Sequence, residues 1–318
     1  MPVWLVTGGS GFLGRHLLEL LDERRAPGID LAVLGRRPPR NGNSGVFVAA
    51  DLSDRAALGR AIAATAPEVV FHLAGRTPPA AAEEYYCGNT LATIHLLDAL
   101  RALGRTVRVV LAGSAAELGP LAAGDLPVAE DFRCRPVDSY GLSKLLATTA
   151  GLAARPPLEV LSVRIFNPIG PGLPRSQAFG RFAALLAEPG PDPLHLTVGD
   201  LDARRDFVDV RDVARALLCL ARGGEPGLVY NVGTGQSHRV GDGLDQLIQQ
   251  SGREVRVEVS PALTAPGGPS DSRARIERLT AATGWRPQIG WHQSLEDLWD
   301  EARSCARMNE LTIPWKCH

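Results

Sequence analysis

The sequence predicts an α/β protein, a doubly wound parallel sheet followed by a smaller C-terminal region. Three observations point there. Short apolar runs alternate with amphipathic helical patterns through the first half of the chain, the rhythm of a parallel sheet covered on both faces. The first apolar run ends in a glycine-rich turn that opens a helix. After Asn167 the rhythm breaks into a stretch crowded with prolines.

Taken in order, Val3-Trp4-Leu5-Val6 reads as the first strand, and Thr7-Gly8-Gly9-Ser10-Gly11-Phe12-Leu13-Gly14 follows it. Leu13, Leu17, Leu20 and Leu21 then recur on one helical face. Leu31-Ala32-Val33-Leu34 is a second strand ending at Gly35-Arg36-Arg37, and Val46-Phe47-Val48 a third ending at Ala50-Asp51-Leu52. Val69 to Gly75, Val107 to Ala112 and Leu158 to Phe166 give the fourth, fifth and sixth. Leu91, Ile94, Leu97 and Leu100 mark one of the helices between them. Pro168, Pro171, Pro174, Pro189, Pro191 and Pro193 predict a looser region over the C-terminal edge of the sheet. Regular elements return at Asp206–Ala221, Leu228–Val232 and Val255–Val259, and the tail after Ala306 reads as peripheral. The division expected is a dinucleotide-binding domain over residues 1–166 and a second domain over 167–318, with a segment of about 204–245 packing back on the first.

Composition narrows the function classes. The 318 residues are 45% apolar and 22% charged, ordinary for a soluble globular enzyme of one large or two intimate domains. A net charge of −1 with scattered arginines leaves no electrostatic footprint for nucleic acid or an anionic membrane. The five cysteines are odd in number and widely spaced, which predicts reduced thiols in the cytoplasm and no zinc site. The seven histidines show no metal-ligand spacing, so no metal is expected, and His72 and His95 read as core or helix-face residues. No basic region precedes the first apolar run, and no apolar stretch reaches membrane-spanning length, so neither a signal peptide nor a membrane span is expected.

Gly8-x-x-Gly11-x-x-Gly14 lies between the first strand and the first helix, the context in which glycines let a pyrophosphate settle on a helix N-terminus. This makes the first domain a Rossmann-type dinucleotide-binding fold. NAD-binding domains carry an acidic residue at the end of the second strand. Here stands Gly35, followed by Arg36 and Arg37, whose guanidiniums can pair with a 2′-phosphate. NADP(H) is therefore expected over NAD(H), which stays possible if both arginines are only solvated surface residues.

Lys144 is one of only two lysines; all the other Lys and Arg residues, 34 together with them, are arginine. It stands four residues after Tyr140, one helical turn along the same face. An ammonium beside a phenol lowers the phenol's pKa and makes it a general acid/base near neutral pH. The plainer reading is a surface tyrosine beside a surface lysine.

With these residues stand Asp51-Leu52, His72-Leu73-Ala74-Gly75, Ser114, Arg164-x-Phe166-Asn167, the stretch from Arg205 to Ala214, Asn231-Val232-Gly233-Thr234-Gly235 and Thr283-Gly284-Trp285. In these motifs, from about Val3 to about Asp300, the chain resembles the extended short-chain dehydrogenase/reductase family, in its nucleotide-sugar epimerase/dehydratase group. Phe166-Asn167-x-x-Gly170-Pro171-Gly172 and the Arg205–Ala214 stretch are most similar to its GDP-4-keto-6-deoxy-D-mannose reductases. The resemblance implies that Ser114 hydrogen-bonds the sugar oxygen at the reacting carbon, that Tyr140 donates the proton, and that Lys144 holds the nicotinamide ribose and tunes Tyr140. It implies cofactor contacts from Gly8, Ser10, Gly11, Phe12, Leu13, Gly14, Arg36, Arg37, Asp51, Leu52, Leu73, Ala74, Gly75 and Asn89. Asn167 and Arg205 would hold the substrate's diphosphate, though Arg205 could equally form a surface ion pair with Asp206 or Asp209. A homodimer through the helices that begin near Ala82 and Tyr140 is implied as well.

The same resemblance narrows the reaction. Dehydratases of the family carry Glu two residues after the catalytic Ser/Thr, and epimerase-reductases carry Cys; this chain has Ala116, and Glu117 one position on points elsewhere unless a bulge redirects it. Without that base, hydride chemistry at one carbon remains. The expectation is an NADPH-dependent reductase of the 4-keto group of a nucleoside-diphosphate 4-keto-6-deoxyhexose. The alternatives are an NAD-retaining nucleotide-sugar 4-epimerase and, from another class, a non-catalytic dinucleotide-sensing protein. Ala265 to Arg275, the segment that usually shapes the nucleotide pocket, departs from the reductase pattern, with Arg273 or Arg275 as candidates for a phosphate role.

Overall fold

The computed structural model describes residues 1–39, 45–263 and 269–311, with the backbone alone for 309–311. Residues 265–268 of the expected nucleotide-pocket segment, and Lys316, lie outside the described residues. The chain runs β1 (Val3–Thr7), α1 (Phe12–Arg24), β2 (Asp30–Gly35), β3 (Val46–Ala49), α2 (Arg55–Thr65), β4 (Val69–His72), α3 (Ala82–Tyr85), a π-helical turn (Tyr86–Leu91), α4 (Ala92–Arg101), β5 (Val107–Ser114), α5 (Ser139–Leu152) and β6 (Leu158–Ile165). The second half adds β7 (Asn167–Ile169), α6 (Ala178–Ala187), β8 (Leu194–Val198), β9 (Arg204–Arg205), β10 (Phe207–Asp209), α7 (Val210–Gly223), β11 (Val229–Val232), β12 (His238–Arg239), α8 (Val240–Ser251), β13 (Val255–Val259), α9 (Glu277–Thr283) and α10 (Trp291–Leu311).

Seven strands form one parallel sheet in the order β11-β6-β5-β4-β1-β2-β3. Successive strand residues point to opposite faces. Val6, Val33, Phe71, Val110 and Val163 therefore meet α1 and α7, through Leu17, Leu21, Val213 and Leu217. Leu5, Leu34, Val70, Val109 and Val160 meet α2 and α4 on the other face, through Leu58, Ile62, Leu96 and Leu100. Strand order reverses between β1 and β4, which opens a crevice beyond the C-terminal strand ends where nucleotides bind in such sheets.

The proline-rich stretch is better ordered than the sequence suggests. Pro168, Pro171 and Pro174 precede α6, and Pro189, Pro191 and Pro193 follow it. Proline is excluded from helix interiors and tolerated just outside them, so these residues bracket a helix. Phe179, Phe182 and Leu186 of α6 join Leu244 and Leu247 of α8 and Trp291, Leu295 and Trp299 of α10 in a second core. The segment 204–245 divides between the cores: Val208, Val213 and Val232 enter the sheet's, Val240 and Leu244 the second. Among the described residues no helix is long and apolar enough to cross a membrane.

Candidate active site

The cofactor end is built on the turn between β1 and α1. Gly8 has φ +75°, and a Cβ there would stand 2.6 Å from Ala74 N, so the turn and the end of β4 meet backbone to backbone. Gly11 N–H bonds Gly8 C=O at 3.0 Å and caps α1 without a side chain. The first turn of α1 holds no acidic residue, so its unpaired amides, those of Phe12, Leu13 and Gly14, present an anion site. Gly8, Ser10, Gly11, Arg36, Asp51, Leu52, Leu73, Ala74 and Gly75 line one cleft of about 420 Å³. This cradle fits a dinucleotide: Gly8, Ser10 and Gly11 leave the α1 N-terminus open to a pyrophosphate, and the Arg36 guanidinium stands in the same lining.

Five of the expected cofactor residues lie outside the cleft lining: Phe12, Leu13, Gly14, Arg37 and Asn89. The Phe12 side chain packs on the second core and that of Leu13 on the first. Gly14 is the point where α1 presses on the Gly8 carbonyl. Arg37 is exposed and outside the lining, whereas Arg36 lies in it, 4.0 Å from the Asp51 carboxylate. Asp51 accepts the N–H and O–H of Ser53, which hold its carboxyl below the usual range. Asn89 is buried behind the cleft. Its amide accepts Arg76 N–H at 2.7 Å and donates to Ser143 Oγ at 2.8 Å.

His72 and two threonines extend that scaffold. Thr7 Oγ1 lies 2.7 Å from His72 Nδ1 and accepts Ala74 N–H, which leaves its proton for the imidazole. Nε2–H then donates to Thr93 Oγ1 at 3.1 Å, and Thr93 donates to Asn89 C=O. Burial, with the Lys144 charge nearby, pushes the His72 pKa down to about 3, so the ring is neutral.

The second cleft, about 410 Å³, opens beside the first and is lined by Ser114, Ala116, Asp138, Tyr140, Asn167, Gln177, Arg205 and Ser272. Ser114 ends β5, Tyr140 opens α5 under the Asp138 cap, and Asn167 begins β7. The tertiary fold thus brings Ser114, Tyr140, Asn167 and Arg205 to one wall. The Tyr140 hydroxyl bonds Ser114, and its ring lies edge-on to Tyr85 at 5.5 Å.

Two sequence expectations change here. The Tyr140 hydroxyl is raised, not lowered: burial is the main cause, the Ser114 bond opposes it, and Glu117, Asp138 and Tyr85 add to it. Lys144 does not reach the phenol. Its ammonium donates to the Ala112 carbonyl, and burial lowers its pKa against the pull of Glu117. Helical spacing put the two side chains on one face, but a buried ammonium turns to the nearest acceptor, here the backbone of β5. Burial therefore disfavours the ionised phenolate.

Arg205 lines both this cleft and a neighbouring cavity with Gln177, Arg181, Asp200 and Ser270. It pairs with neither Asp206 nor Asp209. Asp206 is buried and accepts Thr234 N–H and O–H, Gly235 N–H and Ala274 N–H. Asp209 holds Arg211 and Ser294. Arg205 thus stands between two cavities.

Glu117 was undervalued in the sequence. It points away from the cleft, and its Oε1 accepts Ser114 N–H at 2.8 Å. Ser114-x-x-Glu117 is a capping box, a local signal for this orientation.

A model of the NAD dependent epimerase/dehydratase family matches residues 4–233. GDP-6-deoxy-D-mannose reductase of Pseudomonas aeruginosa is 33% identical over 95% of this chain and 97% of its own. The dTDP-6-deoxy-L-talose 4-dehydrogenase (NAD(P)(+)) of Kitasatospora kifunensis is 31% identical over 92% of this chain and 93% of its own. Among solved structures, RMD from Pseudomonas aeruginosa complexed with NADPH superposes with a TM-score of 0.83 at 32% identity, covering 96% of this chain and all of that one.

Proposed function

Because the chain belongs to the NAD dependent epimerase/dehydratase family, we propose that it is an NADPH-dependent reductase of the 4-keto group of a nucleoside-diphosphate 4-keto-6-deoxyhexose. The observation that carries this reading is the lining of the sugar cleft. Ala116 stands beside Ser114 and Tyr140 where a dehydratase needs a carboxylate, and Glu117 faces the interior. The carboxylate that does line the cleft, Asp138, is committed to the Gly141 N–H at the start of α5. A site without a free base beside the sugar does not remove a carbon-bound proton. It can protonate the oxygen of a carbonyl that receives a hydride.

When bound, the nicotinamide cofactor supplies that hydride. The protein does the rest. Ser114 hydrogen-bonds the C4 oxygen and holds it against Tyr140, whose protonated phenol delivers the proton. Lys144, released from Ala112 or bridging from it, presents its charge to the ribose side of the cleft. The α1 amides hold the pyrophosphate, and Arg36 at the adenosine end favours a 2′-phosphate. Asn167 and Arg205 grip the substrate diphosphate. The relatives named for a GDP-6-deoxy-D-mannose reductase and a dTDP-6-deoxy-L-talose 4-dehydrogenase, and the NADPH of the RMD structure, support the same chemistry.

The enzyme works as a homodimer in the cytoplasm. Leu91 on the π-helical turn and Leu142 and Leu146 on α5 are exposed apolar residues on adjoining helices, which supports pairing there. The thiols of Cys87, Cys134, Cys219 and Cys305 are free, in keeping with the reducing compartment their spacing suggests.

The test is NADPH consumption with 4-keto-6-deoxyhexoses carried on GDP, dTDP, UDP and CDP. We expect one mole of NADPH oxidised per mole of 4-hydroxy product. Interconversion of C4 epimers by protein that retains NAD, with no NADPH consumed, would replace the reading with the 4-epimerase. Dinucleotide binding with turnover of none of these sugars would favour a sensor.

A further inference from the structure

Next to Arg205 in the chain stands Asp206, a fully buried carboxylate that the chemistry above leaves unused. Neighbours in an extended stretch point to opposite sides, so Arg205 turns to the two cavities and Asp206 to the interior. Four hydrogen bonds from uncharged donors converge on it. Oδ1 accepts Thr234 N–H and O–H, both at 2.7 Å, and Oδ2 accepts Gly235 N–H and Ala274 N–H, both at 2.9 Å. Bonds to an ionised acceptor are stronger than neutral ones, and they offset the cost of burying it. The fit is close. A Cβ at Gly233 would stand 2.6 Å from Oδ2, which accounts for the first glycine of Asn231-Val232-Gly233-Thr234-Gly235.

We propose that Asp206 is a positioning residue for the nucleotide sugar, a latch that ties the segment 270–274 and the turn at 234–235 to β9 and β10 and so assembles the wall that grips the diphosphate. Its bonds run to residues that line the cavities. Asp206 C=O accepts Asn167 Nδ2–H at 3.1 Å, and Asn167 lines the sugar cleft. Asp206 N–H donates to Ser272 C=O at 2.8 Å, Ser272 N–H to Arg204 C=O at 3.2 Å, and Arg204 N–H to Ser270 C=O at 2.8 Å. Ser272 lines the sugar cleft and Ser270 the neighbouring cavity. Beyond Ser272 the segment is also held by Val128, which donates to Arg273 C=O and accepts Arg275 N–H, both at 2.9 Å. Asp206 Oδ2 ties Ala274 back toward β10. One residue thus joins Asn167, Arg205 and Ser272, which stand on three separate stretches of chain. An arginine fork grips phosphate oxygens only when it is held in their geometry. A misplacement of about 1 Å can cost as much as about a hundredfold.

The latch rests on the proposed nucleotide-sugar substrate, and its test tells the failure of one from the failure of the other. Asp206→Asn keeps the size but turns an amide NH₂ toward two of the donors, which breaks two of the four bonds. GDP, dTDP, UDP and CDP would be titrated calorimetrically into the wild type, Asp206→Asn, Arg205→Ala and the double variant, with NADPH titrated in parallel. Asp206→Asn should weaken the nucleoside diphosphate that the wild type binds best by about tenfold or more, with NADPH affinity within about twofold. In turnover, KM for the nucleotide sugar should rise by the same factor while kcat falls by less than about threefold. The double variant should lose less than the sum of the two single losses, because both residues act on one ligand through one wall. Unchanged diphosphate binding in Asp206→Asn, strictly additive losses, or equal losses for the diphosphate and NADPH, the mark of a loosened fold, would each overturn the proposal. So would a wild type that binds none of the four diphosphates. If the wild type binds one of them, Asp206→Asn loses it and no 4-keto sugar is reduced, the reductase reading fails and the latch stands. If a 4-keto sugar is reduced while Asp206→Asn binds and turns over like the wild type, the latch fails and the reductase reading stands. Should Asp206→Asn not fold, Thr234→Val removes the hydroxyl bond alone and should weaken the diphosphate by about threefold with NADPH unchanged; wild-type diphosphate affinity in that variant would overturn the proposal.

Discussion

Gly8→Ala separates two reasons for the first glycine of the turn, its backbone angle and the closeness of β4. At φ +75°, an alanine is strained by about 1–2 kcal/mol. Its Cβ would also stand 2.6 Å from Ala74 N, 2.7 Å from Leu73 C and 2.8 Å from Ala74 Cα. All three are backbone atoms, and Leu73 N–H is tied to Thr7 C=O at 3.2 Å, so no side chain can swing away. Relief requires the ends of β1 and β4 to part, at an overpacking cost of about 1–3 kcal/mol. The two effects together come to about 2–5 kcal/mol, a large share of the roughly 5–15 kcal/mol that holds a folded protein together. Gly28→Ala is the control, because Gly28 has φ +87° and a Cβ added there would meet nothing within 4 Å. It should cost only the angle, about 1–2 kcal/mol. Urea midpoints of both variants, with NADPH titrations, give the comparison. Gly8→Ala should be less stable than Gly28→Ala by about 1 kcal/mol or more, and should bind NADPH about tenfold more weakly, or about 1.4 kcal/mol, as the α1 amides shift. Equal stability losses, or unchanged NADPH binding in Gly8→Ala, would refute the close-approach argument.

Tyr140→Phe should lower kcat by about 10²–10⁴-fold, the usual worth of a general acid, while NADPH titration stays within about twofold of the wild type. A variant with full turnover would remove Tyr140 from the chemistry. Arg36→Ala should weaken NADPH by about tenfold and leave NADH unchanged in the same fluorescence titration. Arg37→Ala, outside the cleft, should change neither. His72 supplies a pH dependence of stability. Its folded pKa, about 3, lies below the ordinary imidazole value of 6.5, so the unfolded chain binds the extra proton between those values. Its stabilising contribution is complete above pH 6.5 and is lost as pH falls toward 3. From there to about pH 5 the loss is about 2 kcal/mol at roughly 1.4 kcal/mol per unit. Urea melts at the two pH values should show that loss in the wild type and a flatter dependence in His72→Gln; parallel slopes would show that other groups carry it.

The sequence by itself determined the features whose cause is local. Short, nearly continuous apolar runs alternating with helical patterns specified the parallel sheet, because each strand needs apolar residues on both faces. The glycines at 8, 11 and 14 and the Tyr140–Lys144 spacing were legible because a tight turn and a helical repeat are properties of neighbouring residues. Ser114-x-x-Glu117 was equally local and spelled out the inward turn of Glu117. Tertiary structure decided everything that depends on what a side chain meets. It turned the Lys144 ammonium to Ala112, raised the Tyr140 phenol, and chose Arg36 over Arg37 for the cleft. It also set Arg205 between two cavities, paired with neither acid suggested by its sequence neighbours, and gathered α6, α8 and α10 into a core that the prolines flanking α6 concealed. Burial and the direction of a charged group are set by segments distant in the chain, and those quantities fix a pKa and a partner.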